Sequence, residues 1–283
     1  MFQPVDSASV NRLLNTIERN KSGLSRSLEK IASGRRLGRA GEDAASNAIA
    51  TRLRSDIGVL TQAVRNVDSG SNFIRSAEGG LATISELVSR GKELSLQAAN
   101  GTLGDTERQI VNEEFQQIKS EIDRVTGSTE FNGQKLLNGE LGAQSATRID
   151  IQAGTGSGPE DRVNLNVIEN SDVQSLGLAN ADISTADGAR QAFAALDRAG
   201  AQVNATRGEV GATANRLITT ANGIGGQIEN LTRSESILAD TDLAQEISEL
   251  ERGLSLFQTS VRTLAASLQQ NEQGTGRLLD FRI

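Results

Sequence analysis

The sequence predicts a mainly α protein: long antiparallel helices form a coiled-coil terminal domain and a helical rod, with a small β-hairpin-rich middle segment. Apolar residues recur at alternating steps of four and three along both ends of the chain. The 283 residues include no Trp, Tyr, Cys or His and only 7 Phe, so Leu, Ile, Val and Ala must build the core, which suits helices laid side by side. The helical period gives way to alternation only between about 128 and 180, where Asn-Gly pairs cluster.

The first element is a helix with Val10, Leu14, Ile17, Leu24, Leu28 and Ile31 on one stripe, interrupted at Lys21. The next is a helix of roughly fifty residues, well over ~70 Å long. It carries Leu53, Ile57, Leu60, Val64, Val67, Ile74, Leu81 and Val88, with Ser71, Glu78 and Ser85 at the other seam positions. Asn100-Gly101 breaks it, and a shorter helix follows on Val111, Phe115, Ile118, Ile122 and Val125. Asn132-Gly133 and Asn138-Gly139 are hairpin-turn pairs. Ile149 and Ile151, then Val163, Leu165 and Val167, alternate around a Gly/Ser/Pro loop and predict a hairpin with a long tip.

From about Thr185 the helical stripe returns through Leu196, Val203, Val210, Leu217, Ile224, Ile228 and Leu231, with Gly200, Arg207, Ala214 and Ala221 between them. Glycines inside the long helices (Gly58, Gly70, Gly200, Gly208, Gly211) weaken them in isolation and are expected to allow close backbone approach. The strongest periodic signal comes last: Leu243, Ile247, Leu250, Leu254, Phe257, Val261, Leu264 and Leu268. The order is close to a palindrome, so the simplest closure pairs the two ends. The terminal seam is expected at Val10, Leu14, Ile17, Leu24, Leu28 and Ile31 against Ile247, Leu250, Leu254, Phe257, Val261, Leu264 and Leu268. Such stripes exceed what one extended chain can bury, which implies self-association.

Between the first two helices lies "GRRLGRAGEDAAS", residues 34–46. Its glycines, Gly34, Gly38 and Gly41, match neither dinucleotide nor P-loop spacing, and a helix precedes them. The stretch is expected to be a connector: Gly34 ends one helix, Glu42 and Asp43 favour the start of the next, and Arg36 is expected to pair with Asp43 within one subunit or between subunits. Without His or Cys the chain lacks the usual metal ligands and any Ser/His/Asp set, so no catalysis, cofactor or metal is expected. A net charge of −7 argues against nucleic acid. No run approaches a membrane span, and the opening residues lack the apolar core of a cleavable signal.

The stretches "LEKIASGRRLGRAGEDAASNAIATRLRSDIGVLTQAVRN" (28–66), "RGKELSLQAANGT" (90–102), "EIDRVTGSTEFNGQKLLNG" (121–139) and "ENLTRSESILADTDLAQEISEL" (229–250) together resemble bacterial flagellin. The middle segment is short, so the resemblance is to a form lacking outer variable domains. It implies an inner coiled-coil domain at 1–43 plus 242–283, with the connector at 34–46, and a rod at 44–241. Gly34, Arg36, Ala40, Asp43, Ala44 and Ala45 would sit in the connector, where subunits pack.

The resemblance also implies a secreted subunit that polymerises with itself into an extracellular propeller filament for swimming. Such a subunit is exported unfolded and folds on assembly. Implied partners are the flagellar export apparatus, a flagellin chaperone at the C-terminal region, and hook-junction and cap proteins. An innate immune receptor, Toll-like receptor five, is implied through Arg90, Leu94 and Glu114, which match positions that also make rod contacts. A hook–filament junction protein shares the terminal blocks, but the inner blocks "AANGT" and "EIDRVTGSTEFNG" favour flagellin. A regulatory coiled-coil binder would instead form discrete oligomers.

Overall fold

The computed structural model describes residues 7–38, 41 and 43–280. Among them are five helices: α1 (Ser7–Ser33), α2 (Ala44–Ala99), α3 (Asp105–Ser128), α4 (Ala186–Ala239) and α5 (Leu243–Asp280). Two antiparallel strand pairs join them, β1 (Glu130–Phe131) with β2 (Gln134–Lys135) and β3 (Asp150–Gln152) with β4 (Arg162–Asn164). Residues 1–55 with 230–283 form one compact unit and residues 56–229 the other. This division falls inside α2 and α4, because the first turns of α2 and the last of α4 pack with the connector.

The larger unit is built on three helices. Leu60, Val67, Ile74, Leu81 and Val88 of α2 are buried, as are Leu196, Val203, Val210, Leu217 and Ile224 of α4. Each set repeats every seven residues, as a long two-helix seam requires. Glu78 meets Arg207 and Lys92 meets Asp197, so α2 and α4 run antiparallel. The stripe of α3 (Val111, Phe115, Ile118, Ile122, Val125) closes the core.

Close approach is concentrated at a few glycines. A Cβ on Gly70 would stand 2.9 Å from Ile151 of β3, and one on Gly80 2.8 Å from Leu137. One on Gly91 would lie 3.1 Å from Leu196 and 3.4 Å from Phe115, and Gly200 faces Val88 and Lys92. Gly58, Gly208 and Gly211 have nothing within 4 Å and confer no such packing. Asn132 (φ 51) and Gly133 (φ 80) form the tight β1–β2 turn. Asn138-Gly139 turns the chain without closing a strand pair; Asn138 Oδ1 instead accepts the Glu140 amide.

The Glu78–Arg207 pair interrupts the seam. Arg207 donates Nε and Nη2 to Glu78 Oε1 at 2.9 and 2.7 Å. Both side chains keep about a third of their exposure (37% and 35%), so screening limits the contribution. Glu78→Ala and Arg207→Ala are each expected to lower stability by about 1 kcal/mol, with a coupling energy of similar size in a double-mutant cycle of urea melts.

In the smaller unit α1 packs antiparallel along α5: Asn20 contacts Ser260, Leu24 contacts Gly253, and Lys30 approaches Glu246.

Candidate assembly surfaces

The connector folds against the α4–α5 junction. Gly34 takes φ +67, which ends α1 at Ser33. Arg36 N donates to Ala239 O (2.7 Å) and Thr241 N to Gly34 O (3.0 Å), a short antiparallel bridge between the two interhelical turns. Leu37, Ala50 and Ala239 are buried. Within the chain Arg36 does not form an ion pair with Asp43. Its Nη2 donates to Leu238 O at 2.6 Å, satisfying a carbonyl at the free end of α4. Asp43 instead caps α2 by accepting the Ser46 amide at 3.0 Å. Bonds from the Ser46 hydroxyl and amide hold the Asp43 carboxyl below its ordinary range, and the Arg36 charge adds less. Asp242 caps α5 in the same way through the Ala244 and Gln245 amides. Ala44 and Ala45 are exposed on the first turn of α2; Ala40 and Glu42 lie outside the described residues.

The terminal seam departs from its expected position. On α1, Val10, Ile17, Leu24 and Ile31 are half-buried, but their inward companions are Leu13, Asn20 and Ser27. On α5, Leu250, Phe257 and Leu264 are half-buried, with Glu246, Gly253, Ser260 and Ser267 beside them. Leu14, Leu28, Ile247, Leu254, Val261 and Leu268, expected in the seam, are 39–49% exposed. Periodicity reports which side of a helix is apolar, not which of two adjacent rows meets the partner. Those outer rows lie one residue past the inward ones, about 80° round each helix from the centre of the contact. Because α1 and α5 are antiparallel, that offset carries both rows to the same flank of the pair. The flank is an apolar strip of Leu14, Leu28, Ile247, Leu254, Val261 and Leu268.

Arg90 and Glu114 meet on the surface of the larger unit. Arg90 donates Nε and Nη2 to Glu114 Oε1 (3.1 and 2.7 Å) and Nη1 to Glu93 Oε2 (3.0 Å). Glu114, and then Glu93, raise the Arg90 pKa. Leu94 does not share this surface: it is 1% exposed and packs in the core. The apolar groups near these ends of the sequence that do face out are Leu96 on α2 and Ile110 on α3.

One feature has no periodic signature. The irregular segment 171–183 is held to α3 by a column of polar side chains. Thr126 donates to Ser171 O, Asp123 accepts Val173 N, and Lys119 donates to Ala179 O and Ala181 O. Asn112 accepts Ile183 N. These residues supply the partners that a strand neighbour would otherwise give a buried backbone. Steps of seven, four and three among 112, 119, 123 and 126 put them on one face, but polar residues on a helix read as solvated until a partner is seen. Arg108 works similarly, donating to Ala98 O and to Leu103 O and so closing the C-terminal end of α2.

Burial lowers the Lys119 pKa, opposed by the Asp182 and Asp123 charges. Bonds from the Ser184 hydroxyl and amide hold Asp182 below its usual 3.8. A carboxyl lowered on folding contributes stability above its ordinary pKa and loses it as pH falls through the folded value. The melting temperature of the larger unit is therefore expected to drop on acidification below about pH 4, and Asp182→Asn is expected to flatten that limb. A calorimetric pH series checks this.

A shallow depression of about 580 Å³ lies between α3 and this segment, lined by Gln116, Lys119, Asp123 and Asp172 among others. Lys119 and Asp123 are already bonded to the segment backbone. Among the described residues no acidic cluster could hold a metal, and no helix is long and apolar enough to cross a membrane.

Residues 7–141 match the bacterial flagellin N-terminal helical region and residues 193–279 the C-terminal helical region. The chain is 35% identical to a flagellar filament 30.7 kDa core protein of Treponema maltophilum, over 94% of this chain and 95% of that one. It is 36% identical to a flagellin of Halalkalibacterium halodurans, over 87% and 88%. The crystal structure of Bacillus cereus flagellin aligns with a TM-score of 0.50 at 30% identity, covering 56% of this chain and 88% of that one. Flagellins are structural proteins, which agrees with a chain whose exposed features are apolar strips and helix ends. This chain belongs to the bacterial flagellin family.

Proposed function

We propose that the chain is the repeating subunit of a bacterial flagellar filament used for swimming. The observation that carries this reading is the apolar flank of the α1–α5 pair, too long and too regular to stay in water. Neighbouring copies close that flank, while the connector and rod surfaces set how copies stack. The chain leaves the cell unfolded through the flagellar export apparatus. A chaperone covers the apolar face of α5 until then, and cap and hook-junction proteins receive the subunit at the filament ends. The terminal pair, with only one of its two apolar seams closed in a single chain, completes its folding when neighbours close the other. Electron microscopy of concentrated purified protein tests the central claim: long filaments support it, and discrete oligomers of fixed size overturn it. Circular dichroism that is unchanged between free and assembled chain would sink the folding step alone.

Arg90 and Glu114 form the exposed charged part of a surface that Toll-like receptor five recognises, with Leu94 supporting α2 from within. Arg90→Ala is expected to reduce receptor signalling at least about tenfold, the loss of one charged hydrogen-bonded contact. A reporter-cell titration with monomer reads this; an unstimulated receptor with intact wild-type monomer overturns it.

A further inference from the structure

The rows that meet between α1 and α5 are not the most apolar rows these helices own. Turning each helix by about 50°, half a residue step, would exchange one set for the other. Leu14, Leu28, Ile247, Leu254, Val261 and Leu268 would enter the seam, and Leu13, Asn20, Ser27, Glu246, Gly253, Ser260 and Ser267 would leave it. Apolar burial within one chain favours that turned arrangement, so specific contacts must hold the observed one.

The contacts are at the middle of the seam. Asn20 Nδ2 donates to Ser260 Oγ at 3.1 Å, Ser260 Oγ in turn donates to Leu256 O at 2.7 Å, and both residues are half-buried. Four residues along α1, Leu24 packs over Gly253 of α5, where a Cβ would stand 3.4 Å from its Cδ1. In the turned arrangement Leu24 would face Leu254, and the amide and hydroxyl would part. Lys21, now exposed, would be drawn toward the seam, where its charge has no place.

We propose that Asn20 and Ser260 are register residues: they fix the rotation of α1 and α5 so that the second apolar row stays outward for another copy of this chain. A polar contact inside an apolar seam gives up pairing strength and selects one register, which is its best-attested use in coiled coils. The proposal rests on the filament reading above. It adds that assembly depends on keeping the stronger apolar rows out of the intrachain seam.

Elongation of wild-type filament seeds tests it. The N20L/S260L chain, whose terminal pair is more apolar, is expected to add to seeds at least tenfold more slowly than wild type. The exchanged pair N20S/S260N, which restores one amide and one hydroxyl, is expected to add within about twofold of wild type. The absence of native cysteine permits a direct check of rotation. In filaments, L24C/G253C is expected to form the intrachain disulfide under mild oxidation in preference to L24C/L254C. Normal elongation by N20L/S260L overturns the proposal and leaves the filament reading standing. So does an exchanged pair as slow as the leucine pair, or a preference for the crosslink at 254. Failure of wild type itself to elongate overturns both.

Discussion

Replacing Leu254 and Val261 together by glutamate is expected to reduce filament growth at least about a hundredfold, while the melting of residues 56–229 is unchanged. Both side chains belong to the outward row of α5, 39% and 42% exposed in the single chain. Each loses about 1.5 kcal/mol or more of burial against a neighbour, and two such losses correspond to about two decades in an equilibrium constant. Burying an unpaired carboxylate adds a further penalty. Neither residue lies in the larger unit, so its calorimetric transition serves as the internal control. Sedimentation of seeded reactions reads the growth. Leu250→Glu should behave differently, because Leu250 faces α1 and its loss disrupts the pair itself.

The second large effect is expected at Phe115. This ring is fully buried between α2 and α4, facing Gly91 across van der Waals contact, with the Lys119 amine 6.0 Å from its centroid. Phe115→Ala removes a large side chain from a site that rigid helices cannot collapse around, at a cost of about 3–5 kcal/mol. For a unit of this size that corresponds to a fall of about 10 °C or more in melting temperature. Phe257→Ala, at a half-buried position in the smaller unit, should leave that transition in place. Equal loss at both positions would contradict the division of the core.

The seven-residue repeats of α2 and α4 were readable because both faces of that contact are apolar with few exceptions, and burial follows the repeat closely from Leu60 to Val88 and from Leu196 to Ile224. The β3–β4 hairpin was readable from alternation at Ile149, Ile151, Val163 and Leu165 for the same reason. The column on α3 was not. Asn112, Lys119, Asp123 and Thr126 earn their places through the backbone of residues 171–183, and nothing local in the sequence of α3 announces that partner. Arg36 and Asp43 show the reverse case within one chain. Opposite charges seven residues apart suggest a pair, yet each meets an unsatisfied helix end instead, one a carbonyl and the other an amide. Leu94 matched a surface motif and lies in the core, because only the angular position of a residue on its helix separates the two.

What the sequence determined by itself is the set of helices, their order and their apolar sides, since period and turn residues are local properties of the chain. Tertiary structure decided which of two adjacent apolar rows on α1 and α5 meets its partner. That choice depends on one polar contact, Asn20 with Ser260, across 240 residues of sequence. Packing at a seam is settled by the few places where two helices touch most closely, and those places exist only once the helices are side by side.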